Sequence, residues 1–250
     1  MPSAWHVWAA VFTAGFFLLL TIQAYVAAAI SGVAAVYTLF QWCWLMDRPM
    51  DKPAVDIGAG VLAPSYAAGH QSHGWWAMGI TLIVGGMVAL LAGFSYVFLW
   101  STRPDLWTPA PDDSLVLILG LMGAAAALAW VGVKALIHNG PRSPSVATLS
   151  LVLAIACLAA GFGLDLNGWL AAGLDPTSGP QGASVAMLLS WQGLFVVIAL
   201  LMALYVTLRL AWRYVRSDQP ATFELVGLFV VFSAGQGAFA ATLPRLFPGG

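Results

Sequence analysis

Between Trp75 and Trp100 the chain contains no charged residue. The approach to this run reads His70-Gln71-Ser72-His73-Gly74, and Trp75-Trp76 follow directly. It closes on Phe94-Ser95-Tyr96-Val97-Phe98-Leu99-Trp100, with Thr81 and Ser95 as its only aliphatic hydroxyls. An uncharged run of this length with aromatic residues at both ends predicts a transmembrane helix whose rings sit at the two water interfaces. In lipid the backbone must satisfy its own hydrogen bonds, so one such span commits its neighbours to helices as well.

Composition agrees. Of 250 residues, 61% are hydrophobic and 8% charged, where a soluble domain carries about a quarter charged residues. Mean hydropathy is +0.88. Net charge is −1, and nothing along the chain resembles the basic stripe of a nucleic-acid binder. Cys43 and Cys157 are far apart and lie in or beside apolar segments, a pattern of inert buried thiols without metal-ligand spacing. Ala27-Ala28-Ala29 after an apolar run resembles a signal-peptide cleavage site, but no Lys or Arg precedes Arg48. The N-terminus therefore reads as a retained helix.

The pattern predicts an all-α, polytopic membrane protein of seven transmembrane helices. From Trp5 to Trp44 the chain is apolar, roughly 60 Å as one helix against a hydrocarbon core of about 30 Å. It must fold back, and Thr21-Ile22-Gln23-Ala24-Tyr25 is the best turn. Residues 1–45 thus form a two-helix hairpin. Residues 46–72, with Pro49, Pro53, Gly58, Gly60 and Pro64, form a cytoplasmic connecting segment. Residues 73–250 form a five-helix bundle with spans at Trp75–Trp100, Leu115–Ile137, Val146–Leu164, Ser184–Tyr214 and from Thr222 to before Pro244. Prolines 104, 109, 111, 176 and 180 and Asn139-Gly140-Pro141 separate them. Asp165 is expected in the loop after the fifth span, and Gln23, Gln192 and Gln236 as buried-leaning amides.

Charge supplies an orientation. Arg48, Lys52, Lys134, Arg142, Arg209, Arg213 and Arg216 fall on one face, and only Arg103 and Arg245 on the other. The positive-inside rule then places the N-terminus in the cytoplasm and the C-terminus outside.

No catalytic, cofactor or metal residue emerges. His6, His70, His73 and His138 stand at span ends, not paired at mid-depth as haem ligation needs. No Asp or Glu is expected near the middle of a span, where such residues mark proton paths. His70 and His73 more simply face water, Trp75-Trp76 an interface, and the Gln-Gly pairs 192–193 and 236–237 an interhelical contact. Arg209, Arg213 and Arg216 recur on one side of the sixth span at the level of anionic lipid, where each charge contributes about 1 kcal/mol. A chain of this kind either packs beside another subunit or carries a neutral solute.

Particular residues resemble a family. His73-Gly74-Trp75-Trp76-Ala77-Met78, Phe94 to Trp100 and Gly58-Ala59-Gly60-Val61-Leu62-Ala63-Pro64-Ser65-Tyr66 are similar to subunit III of cytochrome c oxidase, chiefly to the subunit III part of fused subunit I and III forms. Ser190-Trp191-Gln192-Gly193-Leu194-Phe195, Ala221-Thr222-Phe223-Glu224 and Gly235-Gln236-Gly237 extend the likeness over about residues 58–247. The chain departs from it at Gly85, where the family usually has a carboxylate, at Phe195, where a His is common, and at Val230-Val231, where Trp-His is common. The resemblance implies an accessory, non-redox subunit of a bacterial haem-copper terminal oxidase, working in aerobic respiratory electron transport. It also implies subunits I and II as partners holding haem and copper, and bound phospholipid between the two helical groups. Trp75, Trp76, Arg209, Arg213 and Glu224 are the candidate lipid-contact residues, with Glu224 a partner for the Arg cluster. The competing expectation is a stand-alone carrier or channel for a neutral solute, using Gln192 and Gln236.

Overall fold

The first apolar stretch reverses where its polarity steps up. Helix α1 (Trp5–Thr21) stops at Ile22 and α2 (Tyr25–Met46) starts three residues later. Gln23 occupies the turn with a left-handed φ of +60° and is exposed. The expectation of a buried amide at Gln23 is thereby corrected: the chain uses this residue to reverse direction, and its side chain stays outside. The computed structural model describes residues 4–46, 55–58, 60–63, 72–111, 114–138, 143–215 and 219–248. Arg48, Lys52, Pro64, His70, Arg142 and Arg216 lie outside them.

The chain divides into two compact units, Met1–Pro53 and Ala54–Gly250. In the first, α1 and α2 pack through small residues. Ser31 Oγ donates to the Phe12 carbonyl across the hairpin at 2.9 Å. A Cβ on Gly15 would stand 2.8 Å from that Oγ. Gly15 is therefore a position of close approach, as small residues are between membrane helices. Gly15→Leu is expected to pry the pair apart. Cysteines placed on facing turns of α1 and α2 will cross-link efficiently in the parent and several-fold more slowly in the variant.

The second unit opens with a short antiparallel ribbon, β1 (Val55–Asp56) against β2 (Leu62–Ala63), pairing Val55 with Ala63 and Asp56 with Leu62. Five helices follow: α3 (His73–Thr102), α4 (Leu115–Ile137), α5 (Ser143–Ala171), α6 (Pro180–Ala211) and α7 (Ala221–Leu246). Ser72 caps α3, its Oγ accepting the Trp75 N–H at 3.1 Å. α5 runs past its expected end at Leu164 and takes in Asp165, correcting the loop assignment. The helix continues because that carboxylate meets a cation inside the bundle. α7 likewise passes through Pro244 into its last turn, where the proline removes one i→i−4 hydrogen bond. Tyr96 Oη donates to the Phe247 carbonyl at 3.0 Å, satisfying backbone at that helix end.

α7 touches each of α3, α4, α5 and α6 and is the centre of the unit. It is also the least apolar of the unit's five helices. Among helices in lipid, association rests on small and polar residues and not on hydrophobicity. The outward surface is the greasy one: Val84, Leu91, Phe94 and Val116 are 57%, 65%, 69% and 87% exposed. Among the described residues six helices are long and apolar enough to cross a membrane, with α1, at 17 residues, the shorter seventh. This is a multi-pass membrane protein.

Candidate functional site: an interfacial hollow

The helix ends near His73, Ile137 and Ala221 lie at one end of the five-helix unit. There the dipoles and the aromatic residues work together. Glu224 sits in the first turn of α7 and Lys134 in the last turn of α4, each where the helix dipole favours its charge. Lys134 Nζ lies 4.9 Å from the centre of the Trp130 ring, one turn earlier, a cation–π contact set by i, i+4 spacing. Trp75 meets Trp76 edge-on at 5.3 Å.

Trp75, Trp130, Lys134 and Glu224 line one hollow of about 400 Å³, with Val133, Ile137, Gly227, Leu228 and Val231 completing its wall. One acid, one base and two indoles on an otherwise apolar surface suit a molecule with a charged head and a hydrocarbon body. Two of the sequence-predicted residues, Trp75 and Glu224, thus share one site, and Trp76 is beside it. Arg209 and Arg213 do not line it. Arg209 is only 2% exposed. Its Nη1 donates to Tyr205 Oη at 3.0 Å, and its guanidinium lies 5.3 Å from the Tyr205 ring and 5.6 Å from the Tyr214 ring. Arg213, exposed, follows the end of α6 with φ +59°. Lys134 and Trp130 were missed as site residues, although their four-residue spacing at a span end was readable.

At mid-depth the two glutamines meet. Gln192 Nε2 donates to the Ser233 carbonyl at 3.1 Å, and Gln236 Nε2 donates to Gln192 Oε1 at 3.3 Å. Trp191 Nε1 reaches the Gly85 carbonyl at 3.3 Å. The other end of the unit is closed by an ion pair that sequence reading did not find. Arg245 Nη1 lies 2.8 Å from Asp165 Oδ1, with side-chain exposures of 2% and 6%. Arg245 Nε also donates to the Pro111 carbonyl at 2.8 Å. The readable signal was two opposite charges at the ends of neighbouring spans, since ionisable groups in membranes pair.

The loops at that same end hold their acids ionised. Hydrogen bonds from Arg103 keep the Asp105 carboxyl below its usual range, and the Thr177 backbone N–H does so for Asp175. Both groups favour the folded chain above the ordinary carboxylate pKa, an effect lost as pH falls through the lowered one.

Among the described residues no three His, Cys, Asp or Glu side chains converge on one point. His138 Nδ1 is 2.8 Å from the Lys134 carbonyl of its own helix. No protein-family model matches the sequence, and no curated protein matches it significantly.

Proposed function

We propose that this chain is an accessory, non-redox subunit of a haem-copper terminal oxidase in a bacterial inner membrane. Subunits I and II hold the haem and copper, and this chain stabilises them and holds phospholipid. What carries the reading is the match between text and architecture. The residues that resemble subunit III run through the five-helix unit, and the residues before it form a helical hairpin of their own. In this reading all seven helices span, α1 at the short end of the range for a membrane helix. The N-terminus is cytoplasmic, which puts the interfacial hollow at the inner leaflet where anionic lipid lies.

Lipid chemistry follows from the hollow. Lys134 faces a phosphate, Glu224 an ammonium head group, and Trp75 and Trp130 pack along the glycerol and acyl region. Two experiments test the parts separately. Affinity purification of the tagged chain from its native membrane is expected to bring haem-bearing subunits with it, visible as a cytochrome absorbance spectrum. A colourless, monodisperse single chain refutes the oxidase reading and favours a solute carrier. Replacing Lys134 by Gln is expected to lower retained anionic phospholipid about five-fold, and adding Glu224→Gln is expected to lower retained phospholipid that carries an ammonium head group. Unchanged lipid refutes the head-group assignment and leaves the oxidase reading standing.

A further inference from the structure

The β1–β2 ribbon leaves aliphatic side chains bare. The Ile57 N–H donates to the Val61 carbonyl at 2.9 Å, which extends the register by one pair and sets these two side chains side by side on one face. Ile57 is 67% exposed and Val61 54%. The other face carries Asp56 opposite Leu62. Turns that meet water usually draw on Asn, Asp or Ser. This one reads Gly58-Ala59-Gly60, its two glycines at φ +108° and +76°. Asp56 is engaged in holding it, since its Oδ1 accepts the Gly58 N–H at 2.8 Å. From Ile57 to Ser72 the sequence holds no Asp, Glu, Lys or Arg. The ribbon is thus amphipathic, with an uncharged aliphatic face backed by a face that carries its acid.

Its attachment says what covers that face. Residues 64–72 join the ribbon to α3, whose opening Trp75-Trp76 pair marks a water–lipid interface. Fully extended, that connection reaches about 30 Å, so the ribbon stays close to the bilayer surface, an apolar phase present beside every copy of the chain. A two-stranded ribbon is marginal by itself in water. Covering the exposed parts of Ile57 and Val61 favours the covered position by roughly fifty-fold. Depth is limited by the backbone, because unpaired N–H and C=O groups at a sheet edge are not tolerated in hydrocarbon. Amphipathic segments that lie on membranes stop at the boundary of head groups and acyl chains, and the ribbon fits that level.

We propose that the β1–β2 ribbon is a membrane-surface anchor, lying on the leaflet at the start of α3 with Ile57 and Val61 against lipid and Asp56 toward water. Leu62 then faces water as a single exposed aliphatic, which is ordinary. The inference is independent of the oxidase reading and of the interfacial hollow. It needs only that α3 spans the membrane.

The alternation of a strand supplies the test, because Val61 and Leu62 are adjacent and point to opposite faces. In the full chain carrying Cys43→Ser and Cys157→Ala, a single cysteine at either position takes a nitrobenzoxadiazole label. Each labelled chain is placed in phosphatidylcholine nanodiscs and quenched by iodide from water or by phosphatidylcholine bearing a doxyl group. The label at Val61→Cys is expected to be quenched several-fold more by doxyl lipid than the label at Leu62→Cys, and several-fold less by iodide. A doxyl group near the head of the acyl chain is expected to quench it more than one near the chain end. Adding Ile57→Asp is expected to move the label at position 61 into water, with the chain still monodisperse because the ribbon lies outside the helices. Iodide quenching that is equal at the two positions would overturn the proposal. So would shielding of position 61 from both quenchers, which assigns the face to protein, or lipid quenching unchanged by Ile57→Asp, which leaves the connection to α3 alone holding the ribbon near the surface.

Discussion

Asp165→Ala is expected to lower the stability of the five-helix unit by about 3–5 kcal/mol. The Asp165–Arg245 pair is almost wholly enclosed, at 6% and 2% side-chain exposure, so removing the acid strands a guanidinium where water cannot reach it. Arg245 is already stretched in this respect, because its Nη2 is buried without a hydrogen-bond partner. Its remaining donors go to the carbonyls of Pro111 and Ala241, which relieve the charge only in part. The loss should therefore reach beyond the pair itself. Arg245 ties α7 to α5 and to the loop before α4, and that loop is also clamped by Thr108 and Gln181 through bonds of 2.8–3.0 Å. Replacing both partners, Asp165→Leu with Arg245→Met, is expected to restore most of the stability, since a hydrophobic pair of similar volume leaves no charge to solvate. The measurement is a double-mutant cycle on thermal inactivation in detergent, following the fraction that stays monodisperse. Additive losses in the double variant would show that the two groups do not depend on each other.

Gly85→Leu should be a damaging overpacking substitution at mid-depth. A Cβ at this position would stand 2.7 Å from Phe195 Cζ. That ring has little freedom to retreat. It stacks on Phe229 at 5.3 Å with planes 6° apart, and Trp191 and Phe232 hold it at 5.5 and 5.8 Å. The expected cost is about 1–3 kcal/mol or somewhat more. Phe195→Ala alone is expected to cost about 3–5 kcal/mol through the cavity it leaves, and Gly85→Leu added to it should recover part of that loss. A cycle that shows no coupling between the two positions would refute the fit.

This pair bears on the proposed oxidase-subunit reading. There the resemblance implies a carboxylate at position 85 and a His at 195. Here a glycine and a phenylalanine stand in contact, the ring filling the room that the glycine leaves. The two departures are complementary in volume. Gly85→Glu therefore combines overpacking with a buried charge, and is expected to be worse than Gly85→Leu.

Much of the architecture is legible along the chain. The hairpin turn falls at residues 22–24 as its polarity indicates, and Leu115–Ile137 forms α4 with both expected ends. Span ends failed where a charge sits inside a helix. A local reading of Asp165 expects solvent, because the cation that accommodates it is 80 residues away in sequence. Arg209 shows the same limit: its spacing with Arg213 suggests a shared outer face, yet one is inside the bundle and the other exposed. The i, i+4 rule places residues on a helix stripe, and cannot say what packs against it.

The sequence by itself determined that this is a helical membrane protein, how many helices it has and where most of them turn. These follow from the cost of bare backbone in lipid and from the distribution of charge and aromatic rings, both local properties of the chain. Only the tertiary structure decided which helix is central, that Asp165 meets Arg245, that Gln192 meets Gln236, and that Lys134 joins Trp75 and Glu224. Each of these depends on which faces the helices turn to one another. In a bundle so uniformly apolar, small-residue fit and a few buried polar pairs choose those faces, and neither is visible as a hydrophobic period.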